Sequence, residues 1–144
     1  MNIDELIQSA KADVVETPTA DHDVVIAGEV VTLRFTKIEP MAWRSLVALF
    51  PPRTGVVRDM NLGYNYDLAP SGFPAASVAV VGDDESVTQF EGSQWAELFG
   101  TLESPDIFAV STLLWGLHEY DPAQAVVAAK KARTRGKSTK RRKS

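Results

Sequence analysis

Cysteine is absent from the 144-residue chain. The protein therefore forms no disulfide bond, no thiolate metal cluster and no cysteine nucleophile, a composition that suits a reducing compartment. Long hydrophobic runs are absent too, since no stretch reaches the roughly 20 apolar residues that span a bilayer. The first twelve residues carry acids where a secretion signal carries basic residues. We expect neither secretion nor membrane insertion, and the length and 44% hydrophobic content predict a single domain.

Histidine occurs only twice, at His22 and His118. Nucleophilic catalysis by serine or threonine needs a nearby base. With only two histidines, the chain offers few residues that could act as that base. His22 lies between Asp21 and Asp23, where a metal cluster is conceivable, although a solvated polar turn is the favoured interpretation. His118 follows an apolar run, and an interaction with the dipole at a helix C-terminus is the ordinary explanation. The sequence thus predicts a protein that is not an enzyme and holds no cofactor or metal.

Acidic residues are missing from the last fifteen positions. Nine of the 15 basic residues fall there, which leaves six basic against all 19 acidic residues in the first 129 and a net charge of −13 for that body. The basic residues are Lys130, Lys131, Arg133, Arg135, Lys137, Lys140, Arg141, Arg142 and Lys143. The chain therefore combines an acidic body with a basic tail.

Three interpretations of the basic tail stay open. It could neutralise nucleic-acid phosphates without sequence choice, bind an acidic or helical protein, or form a disordered, solubilising end. The tail has no aromatic residue for base stacking, and the acidic body would repel a duplex. Specific nucleic-acid recognition is the least supported of the three. For a protein partner, Lys130, Lys131, Arg133 and Arg135 are candidate contacts.

The first third of the chain predicts a helix, a linker and a β-hairpin. Asn2 and Glu5 have the spacing of a capping box, and apolar residues follow at helical intervals. Residues 12–22 lack any period and predict a linker. Two runs rich in β-branched residues, 24–26 and 30–38, are separated by a glycine-containing turn, which predicts the hairpin.

The middle of the chain predicts a helix followed by a long loop. The helix begins near Pro40, carries an apolar face that includes Trp43, and ends at Pro51-Pro52. Residues 53–71 predict a loop of a length that is often functional or mobile. The apolar run 73–81 fits either a buried helix or a buried strand, because periodicity does not separate the two. Residues 87–90 predict a brief extended piece.

The last third predicts three helices, with start signals at Ser93, Ser104-Pro105 and Asp121-Pro122. Trp43, Trp95 and Trp115 each lie on an apolar helical face, so core packing is expected for all three. The loop tyrosines Tyr64 and Tyr66 differ, since burial is not implied in an irregular segment, and they are candidate partner contacts.

These elements together predict an α+β fold. We expect a mostly helical small domain with one N-terminal β-hairpin and a disordered basic C-terminal tail. The predicted organisation is an N-terminal helix and linker at 1–22, a domain at 23–129 and the tail at 130–144.

The order of these signals resembles the tail assembly chaperones encoded by long-tailed phages of actinobacteria, over about residues 25 to 130. Each of these signals is short and unspecific by itself, but the ordered set is more specific than any one of them. In chain order the set is a hairpin, a Trp-containing helix ended by Pro51-Pro52-Arg53, Asp59, Gly63-Tyr64-Asn65-Tyr66-Asp67, an apolar run, helices near Trp95 and after Ser104-Pro105-Asp106, and a terminal helix that continues into basic residues.

The resemblance implies a protein that binds the long, helical tape measure protein and keeps its apolar faces from aggregating before the tail tube polymerises. It implies the tail tube protein as a further partner, action in the host cytoplasm and absence from the mature virion. It also implies a longer product made by programmed frameshifting, for which the codons of Gly136-Lys137 are a candidate slippery site.

Five loop residues are candidate partner-binding residues on this resemblance, with a role in fixing the loop as the alternative: Arg53, Asp59, Tyr64, Asn65 and Tyr66. Two other functions stay open. One is a structural component of the tail or of the head–tail connector. The other is a small nucleic-acid-associated phage protein that acts through its basic tail.

Overall fold

The computed structural model describes residues 2–13 and 16–143, with side chains as far as Gly136. Residues 14 and 15 of the predicted linker lie outside the described residues. In chain order the elements are α1 Ile3–Ala12, β1 Thr19–Ile26, β2 Glu29–Thr36, α2 Pro40–Ala48, α3 Val57–Leu62, β3 Val78–Val81, β4 Val87–Gln89, α4 Gln94–Phe99, α5 Ser104–Trp115 and α6 Asp121–Lys143. Helices and strands are mixed in one small domain, as the α+β prediction requires.

The predicted hairpin is confirmed, and it forms half of a larger sheet. The described strands make one antiparallel sheet in the order β1-β2-β3-β4. Ala27 and Gly28 both have positive φ, 51° and 80°, which matches the mirror-image turn that joins twisted strands. Strand β1 begins at Thr19, so the linker prediction was wrong from that residue onward. Its acidic residues fit a strand because they pair with polar partners on β2.

The apolar run 73–81 forms a strand after a short turn. A 3₁₀ turn at Ala75–Ser77 leads into β3, whose first residue, Val78, is fully buried beside β2. The predicted extended piece is confirmed as β4, which pairs with β3 at the edge of the sheet. Strand β3 has only four residues, too few for periodicity to distinguish a strand from a helix. Its pairing with β2 determines that it is a strand.

The prediction of a long loop at 53–71 was wrong in two places. Helix α3 occupies Val57–Leu62, and a 3₁₀ turn occupies Ala69–Gly72. Gly63 ends α3 in the left-handed conformation with φ 85°, and its N–H donates to the carbonyl of Asp59. This is the usual glycine stop of a helix.

The helices predicted near Ser93 and Ser104 are confirmed as α4 and α5. The predicted start at Asp121 is confirmed as the first residue of α6, but Asp121 does not cap a free helix end. A single π turn at Gly116–Tyr120 joins α5 to α6, and Asp121 has helical angles of −63° and −46°. A π turn shifts the hydrogen-bond spacing by one residue. That shift directly precedes Pro122, which has no N–H to offer a regular helix.

The core lies between the sheet and the helices and is rich in aromatic rings. Trp95 is central, with its ring 5.4 Å from Phe35 and 5.7 Å from Phe99. Its indole N–H donates to the carbonyl of Pro70 at 2.7 Å. The predicted burial of Trp43 and Trp95 is confirmed. Trp115 was predicted as core but is partly exposed.

The two terminal helices stand apart from this core. Helix α1 has the predicted capping box of Asn2 and Glu5, yet none of its residues is buried. Helix α6 continues through Lys143, although the sequence predicted a disordered tail from Lys130. Alanine, lysine and arginine are strong helix formers, which accounts for the helix. Its described side chains from Ala123 to Gly136 are all exposed. No helix in the described part of the chain is long and apolar enough to cross a bilayer.

Candidate functional site

Arg53 and Asp59 form a clamp at the start of the 53–71 segment, in which Asp59 is buried and Arg53 is partly exposed. Helix α2 ends at Ala48, before Pro51 and Pro52, and Arg53 follows the two prolines directly. The carboxylate of Asp59, on α3, is fully buried. Its Oδ2 accepts hydrogen bonds from the Arg53 backbone N–H at 3.0 Å and from Arg53 Nε at 2.7 Å. Its Oδ1 accepts from Arg53 Nη2 at 3.1 Å and from the Tyr66 N–H at 3.2 Å.

These four hydrogen bonds keep the Asp59 carboxylate charged. The Arg53 guanidinium, followed by the backbone donors of Arg53 and Tyr66, holds the pKa of Asp59 well below its usual range. The same contact, with a further one from Arg53 Nη2 to Asp67 at 2.9 Å, raises the pKa of Arg53. A buried carboxylate with four donors is electrostatically satisfied. The clamp therefore fixes the loop and offers no free carboxylate to a substrate.

The two loop tyrosines face inward. Tyr64 and Tyr66 are core residues, 2% and 5% exposed, so each presents little surface to a partner. Burial, and then the charge of Glu119, raises the pKa of the Tyr64 hydroxyl. Asn65 is partly exposed, and its N–H donates to the carbonyl of Phe50 at 2.7 Å, which ties the loop to the end of α2. The hydrogen bonds of Asp59 and Asn65 hold the loop, while Arg53 and Asn65 keep part of their surface exposed.

His118 is a neutral structural residue in the π turn. Its ring stacks on Trp43 with centroids 4.3 Å apart and 11° between the planes. Nε2 accepts the N–H of Ile38 at 3.1 Å, which leaves Nδ1 to donate to the carbonyl of Leu114 at 2.7 Å. Burial lowers the pKa of His118. Both ring nitrogens are occupied, so His118 joins the end of β2 to the helical layer instead of capping a helix end.

His22 and its two flanking aspartates do not form a metal cluster. They lie on β1, where successive side chains point to opposite faces. Asp21 bonds to Arg34, and Asp23 accepts from Thr32. His22 points to the other face, where its Nε2 lies 3.6 Å from Asp106. In the described part of the chain, no group of three or more histidine, aspartate or glutamate residues could hold a metal ion.

An open apolar groove lies between α3 and the end of α5. It has a volume of about 440 Å³ and is lined by Val57, Arg58, Asn61, Leu62, Tyr66 and Trp115. Val57 is 70% exposed at one side. Two half-exposed rings extend the apolar surface: Phe108 lies 6.3 Å from Tyr66, and Tyr120 lies 5.3 Å from Trp115.

A single cation lines this groove. The guanidinium carbon of Arg58 lies 5.0 Å from the centroids of both Tyr66 and Phe108. Cation–π contacts of this kind hold a guanidinium in place while its N–H groups stay available. The groove therefore combines apolar walls with one positioned positive charge.

Sequence reasoning missed the groove because it assigned 53–71 to a loop. A usable signal was present, since Gly63 directly follows six residues that form a short helix and is the typical stop for one. The predicted basic contacts Lys130, Lys131, Arg133 and Arg135 lie on α6, where all four are exposed. They belong to a different element from the loop clamp, so the predicted site divides into a clamp around a buried carboxylate and an exposed basic helix.

Comparison with known protein families, with curated protein sequences and with solved structures gives no match for this chain.

Proposed function

We propose that this protein is a tail assembly chaperone of a long-tailed actinobacteriophage, and that it binds helical segments of the tape measure protein. The observation that carries the proposal is the open groove between α3 and α5. An amphipathic helix binds such a groove by inserting apolar residues one turn apart. The chaperone would act in the host cytoplasm, before the tail tube forms, and would leave before the virion is complete.

The composition of the groove supports a helical protein as the partner. Val57, Leu62 and Trp115 offer an apolar wall, as an unassembled helix with an uncovered apolar face requires. Arg58 adds a charge that would pair with an acidic residue beside that face. An aromatic side chain and an arginine are also the residue types that most often dominate binding energy at protein interfaces.

The Arg53–Asp59 clamp supports this use of the groove. Asp59 lies on α3 and holds both Arg53 and the N–H of Tyr66, so it fixes a groove helix and a groove ring with one carboxylate. A preformed groove avoids the entropy cost of ordering its walls during binding. Arg53 and Asp59, which belong to the family resemblance, would then shape the site without touching the partner.

The test uses one groove variant with a matched control. Val57→Glu places a charge in the groove, and Val30→Glu makes the same change on the hairpin, where Val30 is 69% exposed. Each variant is co-expressed with overlapping fragments of the tape measure protein, and the soluble, co-purifying fraction is measured. Losing the burial of one valine corresponds to roughly 1.5 kcal/mol or more, or about tenfold in affinity.

We expect Val57→Glu to lose binding by at least that factor and Val30→Glu to retain it. Equal binding by both variants would reject the groove. No binding by the unmodified protein to any fragment would reject the chaperone function. Detection of the protein at fixed stoichiometry in purified virions would favour a structural component of the tail or connector.

The exposed basic face of α6 favours nucleic-acid association as the second candidate function. Four or more cations on one helix would neutralise phosphates, with an affinity that falls steeply as salt rises. A gel shift at low salt compares the full chain with a variant in which Lys130, Lys131, Arg133 and Arg135 are changed to glutamine. A shift that the full chain gives and the variant loses would support this candidate, and no shift at low salt would dismiss it.

A further inference from the structure

Helices α1 and α6 both leave apolar residues uncovered. On α1, Ile3 and Leu6 are 75% and 57% exposed, and Ile7 lies on the same face. On α6, Val126 and Val127 are 53% and 42% exposed. A ten-residue helix without tertiary contacts is marginal in water, so a partner for α1 would supply the stability that its sequence alone does not.

The charges on the two helices are complementary. Helix α1 carries Asp4 and Glu5 in its first turn, and both side chains are exposed. Helix α6 carries Lys130 and Lys131 one turn beyond Val127, and both are exposed. Each helix thus has an apolar patch with charges of one sign at one end, and the signs are opposite.

The spacing of these charges selects an antiparallel pairing. With Ile7 opposite Val127, an antiparallel arrangement brings Asp4, three residues before Ile7, to Lys130, three residues after Val127. A parallel arrangement would instead bring Lys11 to Lys131, each four residues after its apolar residue, and like charges would meet. Residues three or four apart lie on one face of a helix, so both the apolar contact and the ion pair form along the same seam.

We propose that α1 of one copy packs antiparallel on α6 of a second copy, and that the reciprocal contact closes a two-fold dimer. Within a single chain both faces lie uncovered, while every copy carries one face of each kind. Two copies therefore satisfy both helices through two identical contacts, as an isologous dimer requires. This inference concerns α1 and α6 and does not rest on the groove or on the proposed function.

Cysteine cross-linking tests the contact directly, because the natural chain has no cysteine. Ile7→Cys and Val127→Cys proteins are prepared separately, mixed and oxidised under mild conditions. We expect a disulfide-linked heterodimer on a non-reducing gel, in clear excess over the product of Ile7→Cys mixed with Val30→Cys. Equal yields from both mixtures would overturn the proposal. A chain carrying both Ile7→Cys and Val127→Cys that closes only an internal disulfide would show that α1 packs on its own α6, and would overturn it too.

Sedimentation equilibrium tests the energetics of the same contact. We expect a monomer–dimer equilibrium that weakens with salt, and Leu6→Glu should weaken it roughly tenfold or more, since one leucine contact is lost at each of two sites. Val30→Glu serves as the control. Asp4→Lys alone should weaken the dimer, and combining it with Lys130→Glu and Lys131→Glu should restore it. A monomer at every concentration, a dimer indifferent to Leu6→Glu, or no restoration by the reversed charges would each count against the pairing.

Discussion

Replacing Asp59 with asparagine tests the clamp most directly. The change keeps the size and shape of the side chain but turns one carboxylate oxygen into an NH₂ group. Each oxygen of Asp59 accepts two hydrogen bonds, from donors of Arg53 and Tyr66. Whichever way the amide is oriented, its NH₂ group faces two N–H donors inside a fully buried site. Two hydrogen bonds are lost, and a charged acceptor becomes neutral for the other two.

The expected cost is about 3 kcal/mol. Hydrogen bonds to a charged group are worth roughly 1.5–3 kcal/mol each. The lower end applies here, because Arg53 is 41% exposed and regains water when it loses Asp59. For a domain of this size, about 3 kcal/mol corresponds to a fall in Tm of roughly 10 °C.

Asp67→Asn is the matched control, since it removes the same charge. Asp67 is 48% exposed and shares one hydrogen bond with Arg53. A surface pair of this kind contributes about 0–1 kcal/mol. Urea unfolding followed by tryptophan fluorescence measures both variants at pH 7. Equal stability losses for Asp59→Asn and Asp67→Asn would refute the assignment of the buried carboxylate as the centre of the clamp.

The pH dependence gives a second readout of the same carboxylate. The pKa of Asp59 is lowered on folding, so below pH 4 the unfolded chain binds a proton more readily than the folded protein does. The stability that the charge contributes is therefore complete above about pH 4 and is lost as the pH falls through the folded pKa. The difference in free energy of unfolding between the natural protein and Asp59→Asn should become smaller as the pH falls over that range. A gap that stays constant down to acid unfolding would show that the lost stability is not electrostatic.

Two further predictions concern the packing of the helical layer. Because burial lowers the pKa of His118, the unfolded chain protonates first below pH 6.5, and stability should fall as the pH drops from 7 towards 5 by up to about 1.4 kcal/mol per unit. His118→Gln should remove this dependence of stability on pH. An unchanged dependence would show that His118 is not its source. Gly72→Ala should cost about 1–3 kcal/mol, because the new Cβ would lie 2.8 Å from Phe50 and 2.9 Å from Leu46. Gly116→Ala, with helical angles and no atom within 4 Å, should instead gain up to about 1 kcal/mol, and a loss at both glycines would reject the packing argument.

The regular elements with strong local signals were predictable from sequence. The capping box of Asn2 and Glu5, the hairpin, and the helix after Pro40 all depend on short-range rules of spacing and turn chemistry. Strand β3 was ambiguous because its formation depends on pairing with β2, far away in sequence. The start of α6 at Asp121 was predicted, but the π turn that joins it to α5 without a break was not, because no local sequence signal marks a π turn.

The candidate site was harder to predict than the fold. Tyr64 and Tyr66 looked exposed because their segment is irregular, but Asp59 and Phe50 bind that segment to the core through backbone hydrogen bonds. A buried aspartate with an arginine six residues earlier has no distinctive spacing, so the clamp becomes visible only in three dimensions. The groove likewise depends on α3 meeting α5, which are about fifty residues apart in sequence.

Helix α3 connects the clamp to the groove. Asp59 faces inward, while Val57, Arg58 and Leu62 line the groove. A six-residue helix has little stability of its own, so its orientation depends on the inward carboxylate. If the groove binds the tape measure protein as proposed, Asp59→Asn should weaken binding without removing any partner contact, by displacing the groove wall. Asp67→Asn, which leaves the buried carboxylate intact, should bind normally. Equal losses of binding in the two variants would show that the Asp59 carboxylate does not position the groove.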